Sequence, residues 1–575
     1  MSARSSHSPP HTFAAVRASS GACHFNHSLI DTAMRTPSFI LLAACMLMAA
    51  EARAQAPEWA NAWEIGSDGL ESPAGIGTDA RGNLYLAGYA SNGPASGYYR
   101  ATGQFLGCFQ PDGTQRWART IFSINPSSPC RMAMDTAGNT YVAAAYVNGS
   151  VMVDLGRRDT LITTDSAVGL IVMSYDAGGN LRWLRTGFAT DTLTVDGLAV
   201  EGDRLWLGGT FALHAEIGGT RLESAGGTDI CIAQFDTSGT FLRAVRCGGP
   251  ANDRCSGLGA DTGGAATMLG RFGGTATFGD TSLVATSAAT MVLARYRSDC
   301  STAWARADGG RTFEPFTTIL AVDRSGAGIA GITYTGTFGV DGRAYPAISE
   351  LDALVVRYGP DGRAKWEAPF GGSFIQEVQG IATDPEGNVY VGGFSQSLPD
   401  GQTFLARFSR EGAREWQTTD GYANAIGNVD GGPLCVDPTG IVYMAGMLSG
   451  TTRFGTHVIA SLGSTPTSSS GWDIYVASLA RTSGVAGDDR HRPASATVSL
   501  RRTGDVLLVS SASGRPELLG AGLYSIHGRR IAVPQTAVAY GGAIVFDIGA
   551  IPSGAYLVLA RTAAGTASLP FLLVR

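Results

Sequence analysis

IATDPEGNVYVGG, residues 381–393, reads as one complete β-hairpin. Ile381-Ala382-Thr383 runs as a strand into the turn Asp384-Pro385-Glu386-Gly387-Asn388, and a second strand opens at Val389-Tyr390-Val391. Pro fixes φ at the start of such a turn, Gly takes the positive φ that closes it, and the Asp carboxylate accepts N–H bonds across it.

The phrase recurs along the chain as GIGTDARGNLYLAG (75–88), MAMDTAGNTYVAA (132–144), LAVEGDRLWLGG (198–209), LGADTGGAATMLG (258–270), LAVDRSGAGIAG (320–331) and LCVDPTGIVYMAG (434–446). With 381–393 that makes seven copies, roughly 53–66 residues apart, a spacing suited to a propeller blade of four strands plus loops. A second phrase follows most copies: an apolar strand, a polar turn with Gly, and a strand carrying Trp. It reads FLGCFQPDGTQRWART (105–120), LIVMSYDAGGNLRWLRTG (170–187), MVLARYRSDCSTAWARADGG (291–310), LVVRYGPDGRAKWEAPFGG (354–372) and FLARFSREGAREWQ (404–417); the copy ICIAQFDTSGTFLRAVRCGG (230–249) lacks the Trp. Each repeat is therefore two hairpins, or four strands.

The last repeat, WDIYVASLARTSG (472–484), ends after its third strand, whereas an isolated Trp strand, WANAWEIGSDG (59–69), precedes the first. The segment around Trp63 is expected to supply the outer strand of the seventh repeat and close the array, removing edge strands that invite aggregation. The repeats resemble the SBBP type of β-propeller repeat, which carries the same D-x-x-GN-x-Y-x-x-G and D-G-x-x-x-W phrases. That resemblance spans about residues 59–484 and implies an all-β chain with a seven-bladed β-propeller; it says little about function, since folds do not fix activities.

Residues 482–496 (TSGVAGDDRHRPASA) are polar and read as a linker, its core at 485–496. Residues 497–575 carry short β-like runs: VSLRRTGDVLLVSS, AGLYSIHGRRIA, AIVFDIGAIPSGAYLVLAR and SLPFLLVR. With the turn at Ile526-His527-Gly528-Arg529 and the late phrase Ile551-Pro552-Ser553-Gly554-Ala555-Tyr556, this tail resembles the type A C-terminal sorting domain of the type IX (Por) secretion system. The resemblance implies a small Ig-like β-sandwich, recognised by the outer-membrane secretion machinery, with Gly528, Gly554 and Tyr556 in its motif. His527 departs from the Asp or Asn usual near that position.

The other end agrees with export. Residues 36–50 (TPSFILLAACMLMAA) form an apolar run after Arg35, and Ala52-Arg53-Ala54 is a small-x-small pattern. Residues 34–54 thus read as a signal peptide cleaved between Ala54 and Gln55, and residues 1–33 as an over-extended start before Met34. The run is too short for a membrane span of about 20 residues, and no later stretch is long and apolar enough. Beyond it lie Cys108, Cys130, Cys231, Cys247, Cys255, Cys300 and Cys435, in no zinc-binding spacing. Disulfides are permitted in exported chains; Cys247 with Cys255, flanking a Gly/Pro/Asn-rich loop, is the first candidate pair and Cys108 with Cys130 the second, the odd count leaving at least one thiol unpaired. A net charge of −6 with 16% charged residues argues against nucleic-acid binding. Lys365 is the sole Lys among 42 basic residues.

No residue pattern demands catalysis, a cofactor or a metal. Beyond the leader only His214, His457, His491 and His527 occur, none in a nucleophile–base motif. Asp79, Asp135, Asp261, Asp323, Asp384 and Asp437 recur once per repeat and are expected to cap turns, Glu201 lying near that position in the third copy. Trp63, Trp117, Trp183, Trp304, Trp366 and Trp416 are expected to pack neighbouring repeats together. The Gly-Gly pairs lack the helix and Lys of a phosphate loop. The sequence therefore reads as a secreted or cell-surface binding or scaffold protein with a protein or glycan ligand. An exported glycan lyase or hydrolase, and a surface-layer or adhesin component, stay open.

Overall fold

The computed structural model describes residues 57–66, 70–91, 103–123, 129–147, 150–153, 160–163, 166–310, 314–349, 351–370, 375–397, 400–420, 428–461 and 472–479 in the body of the chain. In the tail it describes 498–503, 506–511, 518–525, 530–531, 535–538, 543–548, 551–552, 554–562 and 565–573. The leader, the Ala54–Gln55 junction, the 485–496 linker and Gly528 lie outside the described residues. The chain divides into two compact parts between Thr482 and Ser483.

Among the described residues there is no helix, and all the strands pair antiparallel. The body is built of four-stranded units. The fifth is representative: Glu314–Val322, Gly328–Thr335, Asp352–Tyr358 and Ala364–Phe370 pair in that order. The seventh is assembled from both ends of the body. Asp473–Leu479 pairs with Val442–Ser449 on one side and with Trp59–Ile65 on the other, placing Trp63 opposite Val476 and Ile65 opposite Ile474.

The first strands of the units touch in cyclic order. Glu71–Thr78 meets Arg131–Met134, which meets Leu193–Glu201; Arg254–Ala260, Glu314–Val322, Gln376–Thr383 and Leu434–Val436 follow, and the last meets Glu71–Thr78 again. No sheet closes on itself; successive sheets meet face to face. Second and third strands are therefore covered on both sides, which is why Val168–Tyr175 and Asp352–Tyr358 are buried throughout and read as unbroken apolar runs rather than alternating ones. The cores lie between units: Val355 of the fifth packs with Val389, Val391 and Phe404 of the sixth, and Ile65 and Val476 of the seventh pack with Leu84, Leu86 and Phe105 of the first.

A further hairpin, unforeseen from the sequence, branches between second and third strands and leans on the preceding unit. Ser150–Val153 with Thr160–Thr163 pairs onto the fourth strand of the first unit, Phe122 opposite Val153. The tip of the long hairpin Arg204–Ile217/Thr220–Asp236 pairs with Leu181–Ala189, fusing the second and third units into one eight-stranded sheet. Thr275–Phe278/Thr281–Val284 bridges back through Gly248 and Thr277, and Thr337–Val340/Arg343–Pro346 through reciprocal bonds between Gly309 and Gly339 of 3.0 and 3.1 Å. In the hairpin Thr451–Phe454/His457–Ala460, Gly455 N–H donates to Asp420 Oδ2 at 2.6 Å.

The tail holds two four-stranded antiparallel sheets. One runs Val498–Thr503, Val506–Ser511, Ala543–Asp547, Gln535–Val538; the other runs Arg530–Ile531, Leu518–Ser525, Gly554–Thr562, Gly565–Leu573. Leu523, Phe546, Ile548, Tyr556 and Val558 are buried there.

Deleting Trp59–Ile65 bares the backbone of Asp473–Leu479 and uncovers Ile474 and Val476. The shortened protein is expected to self-associate and to unfold at lower temperature than the intact chain, as read by light scattering and thermal denaturation. A monomeric variant of unchanged melting temperature would show that the closing strand is dispensable.

Candidate functional site

The six repeated aspartates all sit in the turn between first and second strands, where they are 3–7% exposed except for the half-buried Asp135. Asp79 Oδ1 accepts the N–H groups of Arg81 and Asn83 at 2.9 Å each, while Oδ2 accepts Asn83 Nδ2 at 2.7 Å and the Tyr85 hydroxyl at 3.3 Å. Asp135 repeats the set with Ala137, Asn139 and Tyr141, and Asp384 with Asn388 and Tyr390. Asp437 accepts the N–H and hydroxyl of Thr439 and the N–H of Ile441, each at 2.8 Å. In the fourth and fifth units, which lack the Asn, a third-strand Arg takes its place: Arg295 bonds Asp261 and Arg357 bonds Asp323. Both guanidiniums also reach the next unit, donating to Gly326 O at 3.3 Å and Gly387 O at 2.9 Å. These carboxylates are filled by turn and neighbour donors. Among the described residues no group of three or more His, Cys, Asp or Glu is arranged to hold a metal ion.

The fourth-strand tryptophans make the second inter-unit contact. The indole N–H of Trp117, Trp183, Trp304 and Trp366 donates to Ala177, Thr237, Pro360 and Arg410 carbonyls of the following unit at 2.8–3.0 Å. Each ring lies over the turn glycine there. Gly179 has φ +75°, and a Cβ on it would stand 2.8 Å from the Trp117 ring, so both conformation and space require glycine. Trp63, in the closing strand, covers Gly113 of the first unit in the same way, and Asn61 beside it donates to Pro111 O at 3.2 Å. In the third unit Arg243 stands in the Trp position and donates to Asp299 O. Trp416 is 5% exposed and its indole N–H has no partner among the described residues.

The expected Cys247–Cys255 disulfide is absent: both thiols are free and buried. Cys247 ends the fourth strand of the third unit with Sγ 3.1 Å from the Tyr296 hydroxyl, whereas Cys255 lies in the first strand of the fourth unit with Sγ toward Gly257 and Leu269 carbonyls. The loop joining them carries the chain from one sheet to the next. Burial pushes the Cys247 thiol up to about 11 and Cys255 well above the usual thiol range, so both are protonated and inert. His214 lies in the long hairpin with Nδ1 3.2 Å from Thr190 Oγ1, and His457 opens a strand of the branching hairpin in the seventh unit. In the tail Gly554 opens a strand opposite Leu573, and the Tyr556 hydroxyl donates to Pro552 O at 2.8 Å.

Near their starts the first strands differ from one another. Five of these strands carry a β-bulge, skipping Ala74, Asp196, Ser256, Phe316 and Gln379. Bulges re-aim single side chains out of a ladder, and Phe316 is 63% exposed. Beside the bulged Asp196 a cavity of about 410 Å³ lies between the third and fourth units, lined by Thr192, Thr210, Thr228, Asn252, Arg254 and Arg271 among others. Asp196 Oδ2 accepts the Thr194 and Thr210 hydroxyls at 2.7 Å each, and Arg254 stands 4.0 Å from its other oxygen. Arg254 and Arg271 lie directly opposite each other across the strand pair. Burial, and then the charge of Arg254, hold the Arg271 guanidinium below its usual range.

Behind the cavity two carboxyls are buried together. Asp253 accepts Gly249 N–H at 2.6 Å and Gly273 N–H at 3.1 Å, and Asp229 accepts Ala225 N–H at 2.5 Å and Arg246 at 3.3 Å. Both crowd Gly248, where a Cβ would stand 1.9 Å from Asp229 Oδ1 and 2.6 Å from Asp253 Oδ2. Burial, reinforced by Asp229, pushes Asp253 up to about 6. Sequence reasoning missed this region because its members come from four separated segments. The signal present was local degeneracy: the repeat bordering the cavity is the one without its Trp.

No family model matches the chain, and no curated protein matches it. Among solved structures, a protein of unknown function from Dyadobacter fermentans DSM 18053 aligns with a TM-score of 0.40 at 9% identity, covering 74% of this chain and all of that one. Another of unknown function from Bacteroides caccae aligns at 0.21 and 10% identity, covering 48% of this chain and 93% of that one.

Two substitutions follow from this geometry. Asp323→Ala strands the Arg357 guanidinium, 5% exposed, and should cost about 3–5 kcal/mol in denaturant unfolding, with Asp323→Asn milder. Asp253 is more basic in the fold than unfolded, so its ionisation destabilises: nothing is lost below about pH 4, the penalty grows to pH 6, and it is complete above. Asp253→Asn should therefore gain on the parent chain by about 3 kcal/mol between pH 4 and pH 7. A pH-independent difference between the two proteins would refute the assignment.

Proposed function

We propose that this chain is an exported binding protein, a seven-bladed β-propeller carrying a small Ig-like β-sandwich that directs it through the type IX machinery to the cell surface or medium. The observation that carries the propeller reading is the cyclic contact of seven first strands, completed when residues 59–65 supply the outer strand to the sheet of Asp473–Leu479. The two four-stranded sheets of the tail are compatible with a sandwich, and the leader-like residues 34–54 with entry into the periplasm. Among the described residues no helix is long and apolar enough to cross a membrane.

Binding is favoured over catalysis by how the side chains are used. The repeated carboxylates are committed to turns and the repeated indoles to neighbours. What remains accessible is Phe316 at one bulge and a cavity whose Arg, Thr and Asn groups hold polar ligands without transferring protons.

The test is to express the chain in a host with type IX secretion, with and without residues 497–575, fractionate the cells and medium, and measure intact mass. The full chain is expected at the surface or in the medium and shortened at one or both ends, while the truncation stays in the periplasm. Equal mass and equal periplasmic retention of both would sink the sorting role.

A further inference from the structure

Each guanidinium elsewhere that is nearly enclosed by the body has an answer. Arg357 has Asp323, Arg295 has Asp261, and Arg306 has Asp308 and Asp341. Arg271 has none: it is half-buried, and it makes no hydrogen bond or ion pair among the described residues. Its opposite number is another cation. Directly opposed like charges on paired strands repel, and the two share a single carboxylate, Asp196, whose Oδ1 stands 4.0 Å from Arg254 and whose charge only partly offsets that repulsion at Arg271. Arg131 of the second unit adds a further positive charge beside this carboxylate, donating to Asp196 O at 3.1 Å. The cluster thus holds more positive charge than its one carboxylate balances, and a bound anion would make up the difference.

The rest of the lining specifies what that is. The Asn252 amide oxygen is engaged by Thr228 N–H at 3.2 Å, which leaves Nδ2 as a donor, and neither that group nor the Thr192 hydroxyl has a partner among the described residues. An aspartate or glutamate side chain from a protein ligand would use the two arginines and leave these hydroxyl and amide groups facing an aliphatic stem. A pyranose bearing a carboxylate or sulfate uses all of them, its anion between the arginines and its hydroxyls on Thr192 and Asn252. The volume, about 410 Å³, falls in the range of small-ligand pockets.

We propose that the cavity between the third and fourth units, at Thr192, Asn252, Arg254 and Arg271, binds an acidic sugar residue of a glycan. This rests on the binding-protein reading above and names its ligand class. Both anions fit the chemistry, a uronate carboxylate or a sulfate ester, and the experiment separates them.

The purified full-length chain is titrated calorimetrically with an oligogalacturonate, a sulfated galactan oligosaccharide, the uncharged galactan parent and a polyglutamate peptide. At least one charged oligosaccharide is expected to bind, more weakly as salt rises, and the stronger identifies the anion. Arg271→Gln should weaken that binding at least tenfold, and Arg254→Gln likewise. Since Arg271 makes no hydrogen bond or ion pair among the described residues and faces Arg254, Arg271→Gln should melt no lower than the parent chain, which separates loss of ligand from loss of structure. Equal binding of the uncharged parent, undiminished binding by the variant, binding of the peptide alone, or no binding at all would overturn the proposal. Localisation is measured separately, so a chain that is exported yet ignores acidic glycans refutes the ligand and leaves the binding-protein reading standing.

Discussion

Everything in the body leans on the pairing of Trp59–Ile65 with Asp473–Leu479, which joins the two ends of a long segment through main-chain hydrogen bonds. A stack of open sheets would otherwise end in two bare edges and two uncovered faces. With the pairing made, Ile65, Ile474 and Val476 complete a core with the first unit, and each sheet has a neighbour on both sides. That constraint accounts for the composition of the inner strands. Covered on both faces, they are apolar at consecutive positions, so neighbouring sheets can settle only with small residues where backbones approach, such as Gly75 against Met132.

Hydrophobic contact alone is non-directional and would let one sheet slide over the next. Two sets of directional contacts prevent this. Fourth-strand indoles bond the third-to-fourth-strand turn of the following unit, and buried turn aspartates, through Arg295 and Arg357, reach its first-to-second-strand turn. The branching hairpins work in the opposite sense, reaching back to the preceding unit. Neighbouring units are thus tied both at the fourth-strand indoles and, at two junctions, through the turn arginines.

The parts legible in the sequence are those written in local chemistry. D-P-E-G-N at 384–388 names its turn, Trp at one phase names its packing role, and an orphan Trp strand before the first repeat names the closure. The branching hairpins were also written locally, in EIGGTRLE (216–223), TFGDTSLV (277–284), TFGVDGRAYP (337–346) and RFGTHVIA (453–460), but as weak alternation within what reads as loop. The Cys247–Cys255 pair failed for a physical reason: nearness along the chain is no guide where the intervening loop steps between sheets. The cavity was out of reach because Thr192, Thr228, Asn252 and Arg271 meet only after the third and fourth units stack.

Trp416 marks where this regularity stops. Every other indole of its set covers a turn; the seventh unit has no turn there, since its third strand ends at Leu479 and its fourth begins at Trp59. The seam thus forgoes one lock and relies on its ladder. Trp59 lies opposite Leu479, so the two segments leave that ladder at the same end. Tension drawn between them would peel the ladder apart one rung at a time instead of shearing all rungs together.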